Sequence, residues 1–480
     1  MKNIVLILAD QLRADFCGCY GADWLKTPNI DALAEEGVRY CNAVTPSPAC
    51  VPARASLLTG KSAIANRVNC NRKWLGLNHE EQGIYTWPTR LADEGYHTVS
   101  FGKQHFYPWD LREGFMHRVI AEDKRHVDIN DDYTIYLKKQ GLNRYHGSAS
   151  EGYYEDLGAC VSPIPEEHQI DRFVCDRVLE YLDYRDADQP FAMMVGFPGP
   201  HCPYDPAPEV LARMDLNANP PEACPRTVDI DTLRTKNISD NLAPWNGVDI
   251  TDFTPEKAKK VRVYYSALVQ AIDDYIGEIV QKLKDKEIYE DTIIIVTSDH
   301  GDYLGDFGMA GKGHYLESAL RIPIIIRNPG QEPMKVEHTV SLTDIHNTLL
   351  TFAGIEEEDT DDSTTLKPFG KKDTREAVFG CNEIGWMIRD DQYQYAVYYN
   401  GLATLYDFVN DPQQQNNLAY KDEYRELTDK MRAKLDIRMF EAIETANSDN
   451  IGKPGNLQRS AKMDKFNHEG WKRPYPYIGK

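Results

Sequence analysis

Thr292-Ile293-Ile294-Ile295-Val296-Thr297-Ser298-Asp299-His300-Gly301-Asp302 is a nearly unbroken β-branched run that ends in carboxylates and an imidazole. Stiff β-branched side chains fit a pleated strand, and a run apolar on both faces suits a strand covered by helices on each side, as in α/β sheets. Asn3 to Ala9 reads the same way and ends in Asp10-Gln11. Ligands of open α/β sheets gather at the carboxyl ends of the strands. Asp10, Gln11, Asp299 and His300 are therefore candidate metal ligands, although an Asp at a strand end also serves as a helix cap or turn residue. Carboxylate and amide oxygens with one imidazole suit Ca2+, Mg2+ or Mn2+.

Working outward, Thr27-Pro28-Asn29 opens a helix that ends at Gly37, so the first 60 residues read strand, loop, helix, loop, helix. A helix around Leu91 and a strand from His97 to Phe101 follow, and Ala192 to Gly196 is another short strand. Residues 202–253 are rich in Pro, Asn and Asp with little periodicity and are expected to form a long surface insertion. Thr254-Pro255 starts a helix whose apolar face is Val261, Tyr265, Leu268, Ile272, Ile276, Ile279 and Leu283, steps of three and four that match the helical period. Ile322 to Arg327 is a further strand. The acidic stretch Glu356 to Thr365 precedes a boundary near residue 370, which divides the chain into 1–370 and 371–480. Beyond it, strands at Ala377 to Gly380, Trp386 to Arg389 and Gln394 to Tyr399 lead to a helix from about Lys421 to Ala446. Strands followed by a helix suggest a small α+β subdomain. The segment Trp471 to Tyr477 forms an aromatic, proline-rich tail.

The 480 residues are 41% hydrophobic, enough for a large core, and the formal net charge is −21. So acidic a chain is a poor general nucleic-acid binder, because such binding relies on basic surface. No stretch approaches the roughly 20 apolar residues that span a membrane. The first apolar run, Ile4 to Ala9, is shorter than the apolar region of a signal peptide, about 7–15 residues. The expected location is the cytoplasm. The ten cysteines show no paired CxxC spacing and are read as thiols.

One cysteine stands in an unusual setting: Cys50-Val51-Pro52-Ala53-Arg54-Ala55-Ser56-Leu57-Leu58-Thr59-Gly60. The bland reading is a helix with Pro in its first turn, a Gly cap and a buried thiol. The functional reading puts Cys50 at a helix N-terminus beside Arg54, where positive potential favours an anion and an activated nucleophile.

This stretch resembles the sulfatase signature Cys-x-Pro-x-Arg continued by Leu-Thr-Gly, and the resemblance covers nearly the whole chain. Asp10-Gln11 and Asp299-His300-Gly301-Asp302 look like the family's two metal pairs. Thr27-Pro28-Asn29-Ile30-Asp31, Gly102-Lys103-Gln104-His105, Pro198-Gly199-Pro200-His201 and Gly311-Lys312-Gly313-His314 resemble further family motifs. So do Leu405-Tyr406-Asp407 and Asn410-Asp411-Pro412 through Asn417-Leu418 near the far end. The resemblance implies an alkaline-phosphatase-like α/β/α sandwich with a smaller C-terminal α+β subdomain, and a sulfuric ester hydrolase. It implies that Cys50 is converted to formylglycine by a maturing, formylglycine-generating enzyme. One hydroxyl of the hydrated aldehyde then attacks sulfur. A single divalent ion, Ca2+ ahead of Mn2+ or Mg2+, would be held by Asp10, Gln11, Asp299, His300 and residue 50 itself. Arg54, Lys103 and Lys312 would add fixed positive charge. His201, with Lys312, would protonate the leaving oxygen, and His105 would take the second diol proton. Asn71 and His314 lie near these motifs. The substrate would be a sulfated small molecule or oligosaccharide, with specificity set by residues 106–170, 202–253 and the C-terminal aromatics.

Two departures are visible. Asp-Gln stands where many sulfatases have Asp-Asp, and Asp-His where others have Asp-Asn. Both also resemble phosphonate monoester and phosphodiester hydrolases of the same superfamily, the alternative activity, whereas Lys103 and His105 point back to sulfatases. A non-catalytic sulfated-glycan binder with Cys50 unmodified is the remaining alternative.

Overall fold

The computed structural model describes residues 1–356, 360, 362–370 and 375–447. Eight strands form the main sheet: β1 (Asn3–Asp10), β2 (Val38–Val44), β3 (His97–Gly102), β4 (His117–Ile120), β5 (Phe191–Pro200), β6 (Thr292–Ser298), β7 (Ile324–Arg327) and β8 (Met334–Ser341). Their spatial order is β4-β3-β5-β1-β6-β7-β2-β8. β7 runs antiparallel to both its neighbours, and the other pairings are parallel.

Side chains alternate across a strand, and here the alternation sorts β1 into two cores. Val5, Ile7 and Ala9 join one apolar cluster and Ile4, Leu6 and Leu8 the other. In β6, Ile294 and Val296 face the first and Ile293 and Ile295 the second. The helix Pro255–Asp285 covers the first face with Val261, Tyr265, Ile272, Ile276 and Ile279, joined by the helix Ile170–Tyr184. The helices Cys50–Thr59, Trp87–Asp93 and Asp344–Phe352 cover the second. Each fully buried Ile, Leu or Val contributes about 1.5–3 kcal/mol, which is why a strand pair this apolar ends up central. Among the described residues, no helix is long and apolar enough to cross a membrane.

A second, antiparallel sheet is built from β9 (Val378–Asn382), β10 (Gly385–Arg389), β11 (Tyr393–Tyr398) and β12 (Ala403–Asp407), backed by the helix Arg425–Asn447. It shares a buried cluster with the main body, in which Val378, Met387 and Tyr398 pack with Val44, Leu233 and Tyr315. The acidic stretch and the boundary near 370 lie partly outside the described residues, and the tail from Trp471 to Tyr477 wholly so.

Two expectations change. The segment read as a loop before Cys50 is strand β2. Its alternation is interrupted by a register shift between Tyr40 and Asn42, which hides the period of two. Residues 202–253 are not merely a surface insertion. They contain the helices Pro208–Arg213 and Asp231–Asn241, with Tyr204, Ile230 and Leu233 buried. The helical step there is carried partly by amides. Asn237 and Asn241, one turn apart, both donate to the Ala310 carbonyl, at 2.8 and 3.3 Å.

The order β3-β5-β1-β6 puts four carboxyl ends side by side, which deliver Lys103, His201, Asp10 and Asp299. The close approach of β3 and β5 depends on glycine. A Cβ on Gly196 would lie 2.3 Å from the Lys103 carbonyl oxygen, and Lys103 N donates to Gly196 O at 2.8 Å. Gly196→Ala is expected to cost about 1–3 kcal/mol by forced separation of the strands and to lower kcat by displacing Lys103. Urea unfolding monitored by circular dichroism, with kcat on the folded fraction, checks both; an unchanged midpoint would contradict the close-packing argument.

Candidate active site

Cys50 opens the helix Cys50–Thr59, which packs its apolar residues on the second core and aims its N-terminus at the strand ends. Ala49, the residue before it, has no side-chain oxygen to cap the helix. The cap comes from outside, where Asn71 Oδ1 accepts Val51 N at 3.0 Å. Gly60 closes the far end with φ 65° and its N–H on Ser56 O.

Arg54, one turn along, is fully committed. Its Nε donates to Asp299 Oδ2 at 2.9 Å, Nη1 to Lys103 O at 2.8 Å and Nη2 to Asp10 Oδ2 at 3.1 Å. Lys103 Nζ pairs with Asp10 Oδ2 and, at 3.0 Å, with Asp123 Oδ2. All of these side chains are buried. Burial and Cys50 push the Asp10 pKa up, but Lys103, His201 and Arg54 more than offset them and hold it below the carboxylate range. Burial would likewise raise the Cys50 thiol, yet Lys312 and Lys103 hold it well below its ordinary value.

Asp299 Oδ1 accepts the backbone N–H of Gln11 at 2.9 Å and of His300 at 3.0 Å. His300 Nδ1 lies 2.9 Å from Gly301 O and donates to it, which leaves the Nε2 lone pair facing Cys50 Sγ at 3.2 Å. One ligand atom from each of Asp10, Cys50, Asp299 and His300 lies within 4.8 Å of the others. The Cys50 sulfur stands in for the oxygen that a formylglycine side chain would carry. Carboxylate oxygens, one bare imidazole nitrogen and an oxygen at position 50 make a donor set that fits one divalent cation.

Gln11 adopts φ 71°, held by Tyr265, whose hydroxyl donates to Gln11 O at 2.7 Å. Its amide nitrogen donates to Asp302 Oδ2, and its Oε1 receives Lys312 Nζ at 2.6 Å. Lys312 Nζ also lies 2.7 Å from His201 Nε2, while His201 Nδ1 donates to the Cys202 carbonyl at 2.6 Å. His105 sits in a left-handed turn (φ 63°) pinned by Glu122, whose carboxylate accepts the His105 N–H at 3.0 Å. His105 Nδ1 is buried with no hydrogen-bond partner among the described residues.

The fold thus gathers Asp10, Gln11, Cys50, Arg54, Lys103, His105, His201, Asp299, His300 and Lys312 around one point. Asn71 acts on the helix end. His314 is drawn away to Tyr303, its Nδ1 3.1 Å from the Tyr303 hydroxyl, and burial pushes it down to about 3. Sequence reasoning missed Glu122, Asp123 and Arg125. Asp123 receives Lys103 and Arg125, whose Nη2 is also 3.2 Å from His201 Nε2. The only signal was the charged run Glu122-Asp123-Lys124-Arg125, which by itself names no partner.

A family model described as Sulfatase matches residues 2–355, and one described as N-sulphoglucosamine sulphohydrolase, C-terminal, matches residues 305–440. The chain belongs to the sulfatase family. It is 28% identical to the arylsulfatase of Clostridium perfringens, over 93% of this chain and 96% of that protein. It is 29% identical to the choline-sulfatase of Rhizobium meliloti, over 87% and 82%. The solved phosphonate monoester hydrolase of Agrobacterium radiobacter superposes with a TM-score of 0.77 at 24% identity, covering 92% of this chain and 96% of that one. That likeness establishes the alkaline-phosphatase-like fold. As a sulfatase the protein is a sulfuric ester hydrolase, and membership implies a formylglycine and a divalent metal, for which the buried cluster offers a site.

Because Ala49 cannot cap the Cys50 helix, Asn71→Ala is expected to cost about 1 kcal/mol, read as a lowered urea midpoint with an unchanged slope. No change would mean that solvent replaces the Asn71 contact.

Proposed function

We propose that this sulfatase cleaves a sulfate monoester of a small molecule or oligosaccharide, with Cys50 in its formylglycine form and one Ca2+ as the working ion. The observation that carries the reading is Cys50 held at a helix N-terminus among Arg54, Lys103 and Lys312, beside an oxygen-rich ligand cluster. Asp10, Gln11, Asp299 and His300 would hold the metal. When bound, it supplies Lewis-acid polarisation of the sulfate and lowers the pKa of the attacking oxygen. The formylglycine supplies a hydrated aldehyde, with one hydroxyl as nucleophile and a second that lets the residue reset.

The chain's own residues do the rest. Lys103 and Arg54 keep Asp10 ionised, Arg54 holds Asp299 in place, and both cations add positive potential where the sulfate oxygens gather. Lys312 and His201 hold a proton between Nζ and Nε2, and that proton goes to the departing alcohol oxygen. Arg125 and Asp123 fix the far side of His201 and Lys103. The His105 side chain, which hydrogen-bonds residue 50, takes up the proton released as the site resets. A maturing enzyme must convert Cys50 before any of this operates.

Co-expression with a formylglycine-generating enzyme, with conversion at residue 50 followed by mass spectrometry, tests the activity. The kcat/KM for an aryl sulfate should exceed that for matched phosphodiester and phosphonate monoester substrates and should rise in proportion to conversion. A preference for the phosphorus esters would overturn the reading and leave the Asp-Gln and Asp-His pairs as the better guide. Asp302 orients the Gln11 amide, so Asp302→Asn, which offers a donor to a donor, should weaken Ca2+ binding about tenfold. Calorimetric titration of the metal-stripped protein measures this, and unchanged affinity would remove Gln11 from the ligand set.

A further inference from the structure

His201 Nδ1 donates to the Cys202 carbonyl, so Nε2 carries a lone pair, and two cationic donors face it: Lys312 Nζ at 2.7 Å and Arg125 Nη2 at 3.2 Å. Like charges this close repel each other, so each needs a hold of its own. Lys312 lies between Gly311 (φ 72°) and Gly313 (φ 128°), a stretch whose backbone has little steric preference. Arg125 is held along one edge by Asp123, which accepts Nε at 2.9 Å and Nη2 at 2.8 Å. The other holds come from the segment 202–253, which the chemistry above does not use. Asn237 and Asn241 are buried, and besides their bonds to the Ala310 carbonyl, Asn237 Oδ1 accepts the Ala310 N–H at 3.1 Å, two residues before Lys312. Asn246 Nδ2 donates to Asn241 Oδ1 at 2.9 Å, and the Tyr153 hydroxyl donates to Asn246 Oδ1 at 2.8 Å. Trp245, the residue before it, lies against the flat face of the Arg125 guanidinium, whose carbon is 4.6 Å from the ring centroid. Packing alone does not account for this indole, which is 48% exposed. A ladder of amides thus runs from the backbone before Lys312 to the residue beside the ring that covers Arg125.

We propose that residues 231–246 act as a clip that sets both cations on His201 Nε2, and so governs protonation of the departing oxygen; this rests on the sulfatase reading above, in which His201 and Lys312 supply that proton. Asn237 and Asn241 are positioning residues for Lys312, and Trp245 is one for Arg125. They act through the groups they hold rather than on the substrate. A guanidinium released from the Trp245 face swings off Nε2, and the lysine that remains loses the counterweight that centres it there. A displaced Ala310 carries Lys312 with it through the two glycines. In either case the proton donor leaves the line of the departing oxygen, and a misplacement of about 1 Å costs such a step about 100-fold. The loss falls on esters whose alcohol must be protonated as it leaves and spares those whose leaving group departs as a stable anion. A segment that merely closed the surface would affect both kinds of ester alike.

The test compares fully converted, metal-loaded wild type, Trp245→Leu, Trp245→Phe and Asn237→Ala on 4-nitrophenyl sulfate and phenyl sulfate, two esters of similar shape that differ in leaving group. Trp245→Leu and Asn237→Ala should each lower kcat/KM on phenyl sulfate about tenfold, while 4-nitrophenyl sulfate changes less than about twofold. Trp245→Phe keeps an aromatic face for Arg125 and should stay near the wild type on both. Because Trp245 is half-exposed, its variants keep the fold even if Asn237→Ala loses it. Equal losses on the two esters would mean a merely structural role and overturn the clip, as would unchanged kinetics in Trp245→Leu. Trp245→Phe as impaired as Trp245→Leu would overturn the stacked face as the hold on Arg125. Failure of the sulfatase reading itself is distinct, since the wild type would then turn over neither sulfate.

Discussion

The active centre depends on one buried guanidinium. Arg54 reaches Asp10 at the end of β1, Asp299 at the end of β6 and the backbone carbonyl of Lys103 just past β3. Two carboxylates enclosed this closely repel each other, and neither can stay ionised in a dry interior without a partner. Arg54 and Lys103 supply that partner, and in doing so they brace three strand ends against the helix that carries Cys50. A lysine at position 54 could neutralise charge but could not address three separate acceptors with a rigid planar fork. The signature's spacing between Cys50 and Arg54 is one helical turn. It places the nucleophile precursor and the brace on the same face of the same helix.

The sheet order explains why these groups can meet at all. β3, β5, β1 and β6 are neighbours in space but come from residues around 100, 195, 8 and 295 of the chain. Parallel strands point their carboxyl ends the same way, so each contributes its next one or two residues to a single crevice. Glycine at 196 lets β3 and β5 approach, and the left-handed turns at Gln11 and His105 bend the chain so that side chains face inward. Glu122 and Tyr265 hold those turns by accepting from or donating to backbone groups. Strain at such positions persists only where neighbours over-determine it.

Much of this was legible because the two central strands are so apolar. β1 and β6 announce themselves by composition, and the polar residues that end them announce the site. The helix from Thr254 was equally readable from its period and its Pro at the start. What escaped was carried by polar contacts. β2 is broken by an irregular register, and the helix around Asn237 is anchored by two amides with Leu233 as its buried leucine. Asp123 and Arg125 were unreadable for the same reason. A charged run on the chain looks the same whether it is solvated or folded onto Lys103 and His201, and only the tertiary structure chooses. The His314 motif shows the converse: a match in sequence beside Lys312 whose ring is committed to Tyr303.

The strongly acidic surface and the cationic centre are not in conflict once distances are considered. At physiological salt, exposed charges more than about 8 Å apart are largely screened, so the acidic exterior contributes little at Cys50. The buried Arg54 and Lys103 and the half-buried Lys312 and Arg125 are screened far less, and they act in a low-dielectric pocket where each interaction is stronger. Long-range field therefore does little to recruit an anionic ester, and its capture falls to contacts at the mouth. The inner cations therefore meet the sulfate only at contact range, where the low dielectric makes each of them count most.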